Sequence, residues 1–213
     1  MSDSEQLAIY QLHIFILGIS PMIWRRVKVR SDSTIADLHY IIQIAMGWAN
    51  SHLHRFIIHG KQYGIAQMGG IWFSDDPREV KLSNFGWRAK ERFIYEYDFG
   101  DNWQHQIRVE AILTPKSNCF YPVCSGGQRA CPPEDCGGPW EFMAQRQEYW
   151  VGYIASRLNE IINESDLPGN IEEIYELRQW LMVDHFDHQK VNYRLKQYAT
   201  GERESMLFEQ GIV

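Results

Sequence analysis

Residues 93–99 and 103–113 read as two β-strands folded back on each other across Gly100-Asp101-Asn102, and no other signal in the chain narrows the fold as much. A short polar turn with glycine between two strand-forming runs joins neighbouring antiparallel strands. The sheet is therefore built at least in part from hairpins. A second hairpin precedes it. Tyr10, Leu12, Ile14 and Ile16 share one face of residues 8–17, with Ile9, His13, Phe15 and Leu17 on the other. Period two means strand, and apolar side chains on both faces predict an interior one. Gly18-Ile19-Ser20-Pro21 supplies the turn. Ile23, Arg25, Val27 and Val29 then oppose Trp24, Arg26, Lys28 and Arg30.

Helices alternate with, and then follow, these strands. Thr34 is placed to cap a helix, Asp37 closes a capping box, and Ile35, Leu38, Ile42 and Ala45 recur at helical spacing up to Gly47. Residues 53–58 form the next strand, followed by a glycine-rich stretch around Gly60, Gly64, Gly69 and Gly70 and an irregular loop to Ala89. Residues 114–139 hold all four cysteines and most of the prolines, which predicts loop. Residues 140–162 and 171–182 predict helices. Asp187 caps a last short one carrying Val191, Leu195 and Tyr198. The expected architecture is α+β: a mixed, largely antiparallel sheet built from hairpins, with helices on one face. We expect a single domain over residues 10–198, whose helical part spans 140–183, between tails at 1–9 and 199–213.

Composition enters where it excludes function classes. A chain of 213 residues that is 45% hydrophobic and 14% aromatic can bury a full core. No apolar run reaches the ~18–20 residues of a membrane span. The polar, acidic start Met1-Ser2-Asp3-Ser4-Glu5 is unlike a signal peptide. Both point to a cytoplasmic protein without a membrane partner. The net charge of −6 opposes strong nonspecific nucleic-acid binding. However, the acidic excess lies beyond residue 133, and the first part of the chain is slightly cationic.

Three constellations could carry chemistry. His52 and His54 lie two apart on an expected strand, so both point to one face. With His105 and either Asp98 or Asp101 they could form a zinc, iron or manganese centre that activates water. A histidine on an apolar strand face is more often hydrogen-bonded core, and a carboxylate at a hairpin tip more often closes a turn. Cys119, Cys124, Cys131 and Cys136 are spaced Cys-x4-Cys-x6-Cys-x4-Cys, wider than the usual zinc knuckle, though Pro132-Pro133 and the flanking glycines could tighten the loop. Buried thiols are the plainer reading. Trp24, Arg26, Lys28 and Arg30 form a basic strip headed by an aromatic, which could track a phosphate backbone. It would equally protect a sheet edge. Asp184-His185-Phe186-Asp187-His188 is explained by capping alone. No nucleophile elbow or phosphate-binding glycine loop is present.

Several motifs in order carry a resemblance. They are Ser20-Pro21-Met22-Ile23-Trp24-Arg25-Arg26, Ala36-Asp37-Leu38-His39, Ala45-Met46-Gly47-Trp48, His52-Leu53-His54-Arg55-Phe56, the 98–105 hairpin, the 130–138 loop, and the segment from Phe186 to Leu195. Together, from about Tyr10 to Leu195, they resemble the Orf3-like domain family first described from a root-inducing plasmid. The resemblance implies association with mobile elements and no established activity. Together with the inventory of tryptophan, tyrosine and arginine, it favours a noncatalytic binding or accessory protein whose partner is a protein or a nucleic acid. The alternative is a metal-dependent hydrolase or nuclease using the His/Asp cluster, with zinc or another divalent metal as cofactor.

Overall fold

A computed structural model describes residues 7–66, 71–164 and 167–201. Most of the two expected tails, and the Gly69-Gly70 pair, lie outside the described residues. Among the described residues seven strands form one sheet: β1 (Ile9–Ile16), β2 (Trp24–Arg30), β3 (His54–Ile58), β4 (Lys61–Tyr63), β5 (Arg92–Tyr97), β6 (Trp103–Leu113) and β7 (Val123–Gln128). Their spatial order is β4-β3-β5-β6-β1-β2-β7. Every pairing is antiparallel, so the sheet is α+β in class as expected. β1 lies inside it, between β6 and β2, as its two-sided apolar pattern predicts.

Among the described residues five α-helices follow the same logic of caps and faces: α1 (Ile35–Met46), α2 (Gly138–Glu148), α3 (Val151–Glu164), α4 (Ile171–Leu181) and α5 (His188–Thr200). Asp37 N–H donates to the Thr34 hydroxyl at 3.0 Å, and Thr34 N–H donates to the Asp37 carboxylate at 2.9 Å. The predicted capping box is complete. α1 is buried almost all round, because it packs against the sheet on one side and α5 on another. The Tyr198 hydroxyl of α5 donates to Asp37 at 2.7 Å, so one carboxylate serves both the cap and the helix pair. No helix among the described residues is long and apolar enough to cross a membrane.

Four elements differ from expectation, the first being β4, which forms at Lys61–Tyr63 in the glycine-rich stretch where no strand was expected. β7 lies within the segment read as loop, and it pairs with β2 so that β2 is not a sheet edge. The strand was hidden because Gly126 and Gly127 contribute no side chains to alternate. Gly127 is required by a distant residue: a Cβ there would sit 2.4 Å from the Phe186 ring. The same ring lies under Arg25, whose guanidinium is 4.0 Å from the ring centroid. Arg25 is buried and donates to the carbonyls of Ala45, Trp24 and Gln128, tying α1 to β2 and β7. Next, the expected helix 140–162 is broken at Tyr149-Trp150. Tyr149 leaves helical geometry to stack on Trp180 at 5.1 Å, which redirects α3 toward α4, where Arg157 grips Glu173 with two hydrogen bonds. Finally, β3 begins at His54 rather than Leu53. The Tyr97 hydroxyl takes the Ser51 and His52 N–H groups and lifts this segment off the sheet.

Candidate functional site

The face of the sheet opposite α1 is open, and the strand register decides what it presents. Residues directly paired across antiparallel strands point the same way. Arg92, Arg108, His13 and Arg26 therefore form one row across β5, β6, β1 and β2. Ile94, Gln106, Phe15, Trp24 and Gln128 form the next, continuing onto β7. Lys28 extends the cationic side beside Gln11. Along β1, β2 and β6 these outward residues are half-buried while their neighbours in sequence are buried.

The aromatic members touch. His13 packs 5.2 Å from Trp24 and 5.6 Å from Phe15, and the Arg26 guanidinium lies 5.2 Å from the Trp24 ring. The Trp24 indole N–H donates to Gln128 at 3.3 Å, fixing its plane. Glu110 is the carboxylate that these cations share; Glu96, two residues beyond Ile94 on the same face, is paired with Arg55 at 2.6 Å. Glu110 receives Arg26 at 2.5 and 3.1 Å, Gln11 at 3.0 Å and Arg108 at 3.2 Å. Above all the Arg26 hydrogen bonds hold its carboxyl down to about 2. Desolvation chiefly, helped by Arg108 and Arg26 and opposed by Glu110, lowers the His13 pKa. His13 is therefore a neutral aromatic at physiological pH. Arg30, the last member of the expected strip, is withdrawn into an exposed pair with Asp32 at 2.6 Å. Because β7 covers β2, protection of a sheet edge does not account for the strip.

The expected five-residue metal cluster does not assemble. His54 is buried, stacks on His39 at 3.5 Å and accepts the Ile65 N–H at 3.3 Å. His105 is fully buried and donates from Nδ1 to the Trp103 carbonyl at 3.0 Å. Burial lowers both, His105 to about 4. These two are neutral core histidines. Asp101 instead accepts the Gly137 N–H at 3.1 Å and pins the cysteine-bearing loop to the hairpin. His52 and Asp98 do meet, at 3.7 Å, and they are joined by Asp135, 3.2 Å from His52. Among the described residues these three form the one convergent group of metal-ligating side chains. Asp135 was missed because only the folded loop brings it there. Its sole signal in the sequence was the acidic Glu134-Asp135 pair within the proline–glycine segment.

The four cysteines do not converge on one point. Cys124 is buried in β7 with its thiol donating to the Gly126 carbonyl at 3.2 Å, Cys131 and Cys136 are half-buried, and Cys119 is exposed. Burial pushes the Cys131 thiol well up and Cys136 up to about 11. Neutral thiols are poor metal ligands and poor nucleophiles.

A cleft of about 1110 Å³ separates the end of α1 and the 130–134 loop from α4 and α5. Several of its polar groups are committed. Arg25 is bound to carbonyls, Glu134 accepts the Tyr97 hydroxyl and the Ala49 N–H, and Asp187 caps α5 through the Lys190 N–H.

The chain matches the family model described as plasmid pRiA4b ORF-3-like protein over residues 8–195. It is 34% identical over 136 residues to the uncharacterized protein y4hQ of Sinorhizobium fredii, covering 63% of this chain and 70% of that one. The crystal structure of MM3350 from Methanosarcina mazei, a protein of unknown function, superposes with a TM-score of 0.64 at 31% identity. The match covers 86% of this chain and 97% of that one. With its sheet order, its capped first helix and its loop-bound hairpin in place, this chain belongs to the plasmid pRiA4b ORF-3-like protein family.

Proposed function

We propose that residues 10–198 act as one unit, a noncatalytic cytoplasmic accessory protein that binds single-stranded nucleic acid across the open sheet face. The observation that carries this reading is the adjacency of the two rows. Phe15, Trp24 and His13 offer ring faces, and Arg92, Arg108, Arg26 and Lys28 run beside them against the shared carboxylate Glu110. Four cations less one carboxylate leave a local excess of three on a protein whose net charge is −6. Stacking on an aromatic platform is sequence-tolerant because every base has a π-face, and phosphates supply the salt-dependent part of the affinity. The hydrogen bonds of Arg26 and Arg108 to Glu110 fix both guanidiniums on this face, with Arg26 over the Trp24 ring. Such an accessory role suits the mobile-element setting that the family resemblance implies.

The test is a titration of the protein with a fluorescently labelled oligothymidylate at several salt concentrations. Neutralising about three phosphates gives a log–log salt slope of about −2. Trp24→Ala removes a stacking partner worth about 1–3 kcal/mol, so it weakens binding roughly 5- to 150-fold. Binding that ignores both salt and Trp24→Ala refutes the reading.

A further inference from the structure

We infer that His52, Asp98 and Asp135 form a solvent-open site for a first-row divalent cation of the Mn²⁺ type. This inference is independent of the nucleic-acid reading.

The three donors come from separate segments: the stretch before β3, the turn after β5, and the loop before α2. One ligand atom from each lies within 4.8 Å of the others. Donors bound about 2.1 Å from one ion stand about 3–4 Å apart, and His52 Nε2 lies 3.2 Å from an Asp135 oxygen. The 3.7 Å approach of Asp98 is to the other ring nitrogen, Nδ1, so it is the common spread of 4.8 Å that lets one ion reach all three.

Two observations point to a missing centre rather than to a finished hydrogen-bond network. First, the His52 Nε2 atom is shut off from solvent and has no aligned hydrogen-bond partner, although an Asp135 oxygen is 3.2 Å away. The two atoms are close, but not along an N–H···O line. Second, Asp98 is nine-tenths buried, and its Oδ1 already accepts the Gly100 and Asp101 N–H groups at 3.0 and 3.3 Å. That fixes the carboxylate with Oδ2 3.7 Å from His52 Nδ1, and buried carboxylates are normally paired or bound to metal.

The surrounding contacts hold these groups in place. Glu134 accepts from the Tyr97 hydroxyl and from Ala49 N–H, anchoring the residue before Asp135. Asp101 accepts from Gly137 N–H on the other side. Both Asp98 and Asp135 adopt left-handed backbone angles, with φ of 54° and 58°, a conformation that aspartate tolerates and that marks built positions. Second contacts of this kind are what orient metal ligands. One imidazole and two carboxylates suit Mn²⁺, Fe²⁺ or Zn²⁺ better than Mg²⁺ or Ca²⁺. Three protein donors leave the remaining positions to water, on the side where the Asp135 side chain is 76% exposed.

The full chain, stripped with EDTA and desalted, is titrated with MnCl₂ by calorimetry and by the loss of the free-ion EPR signal. Mn²⁺ is chosen because it avoids thiols, so the cysteines do not contribute. The expected result is one ion per chain. Asp135→Asn, at an exposed position that leaves the fold intact, weakens binding by at least about tenfold, and His52→Gln does the same. No binding at millimolar Mn²⁺ overturns the inference, as does binding that Asp135→Asn leaves unchanged.

Discussion

Gly138→Ala tests how the cysteine-bearing loop is docked. Gly138 adopts φ +82, and a Cβ added there would meet the Asp101 carbonyl oxygen at 2.3 Å. That oxygen belongs to the hairpin backbone, so it cannot swing aside as a side chain would. Left-handed geometry costs a residue with a Cβ about 1–2 kcal/mol, and forcing extra volume into a packed contact costs about 1–3 kcal/mol more. The reduced freedom of the unfolded chain returns about 0.4–1 kcal/mol. The net loss is about 1–5 kcal/mol. For a protein of this size that lowers Tm by about 2–20 °C, readable by calorimetry or circular dichroism. Gly60→Ala is the control. Gly60 also has positive φ, at +78, but nothing lies within 4 Å of its Cβ position, so it pays the backbone cost alone. If both variants melt together, the close approach at Asp101 is not what holds the loop.

Two pH effects and one core substitution follow from the same geometry. His39, His54 and His105 are buried, with pKa values lowered by desolvation, to about 3 for His39 and about 4 for His105. The unfolded chain takes up protons near 6.5 and the folded chain does not, so stability declines as pH falls from 6.5 toward 4. Urea midpoints measured across that window show the decline, and a flat profile contradicts it. Glu110 is depressed from 4.5 to about 2 by its arginines. Its contribution is complete above 4.5 and fades as pH falls through 2, so Glu110→Gln flattens that part of the acid limb. His105→Ala opens a cavity among Trp48, Tyr95 and the sheet, costing about 2–4 kcal/mol. It leaves Mn²⁺ binding unchanged, which a shared titration checks.

What could be read from the sequence was what is local. The alternation of residues 8–17 and 23–30 placed β1 and β2. The Thr34–Asp37 box and Gly47 bounded α1, and Gly100-Asp101-Asn102 set the β5–β6 hairpin. Each of these signals is complete within a few residues. What failed depended on partners far along the chain. β7 exists because Phe186 needs bare backbone at Gly127. His52 leaves the strand because the Tyr97 hydroxyl captures its N–H, which sent the imidazole away from His54. Asp135 reaches His52 only after Asp101 and Gly138 have docked the loop. The basic strip was visible as a strip, but its rows with Arg92, Arg108 and Phe15 appear only once the register across four strands is known.

Mapping backbone amide shifts in ¹⁵N-labelled protein during titration with a short oligothymidylate tests the central claim most directly. The account predicts perturbations concentrated at Gln11–Phe15, Trp24–Lys28 and Gln104–Glu110, fading as salt is raised. Shifts confined to the cleft between α1 and α5, or none at all, would contradict it.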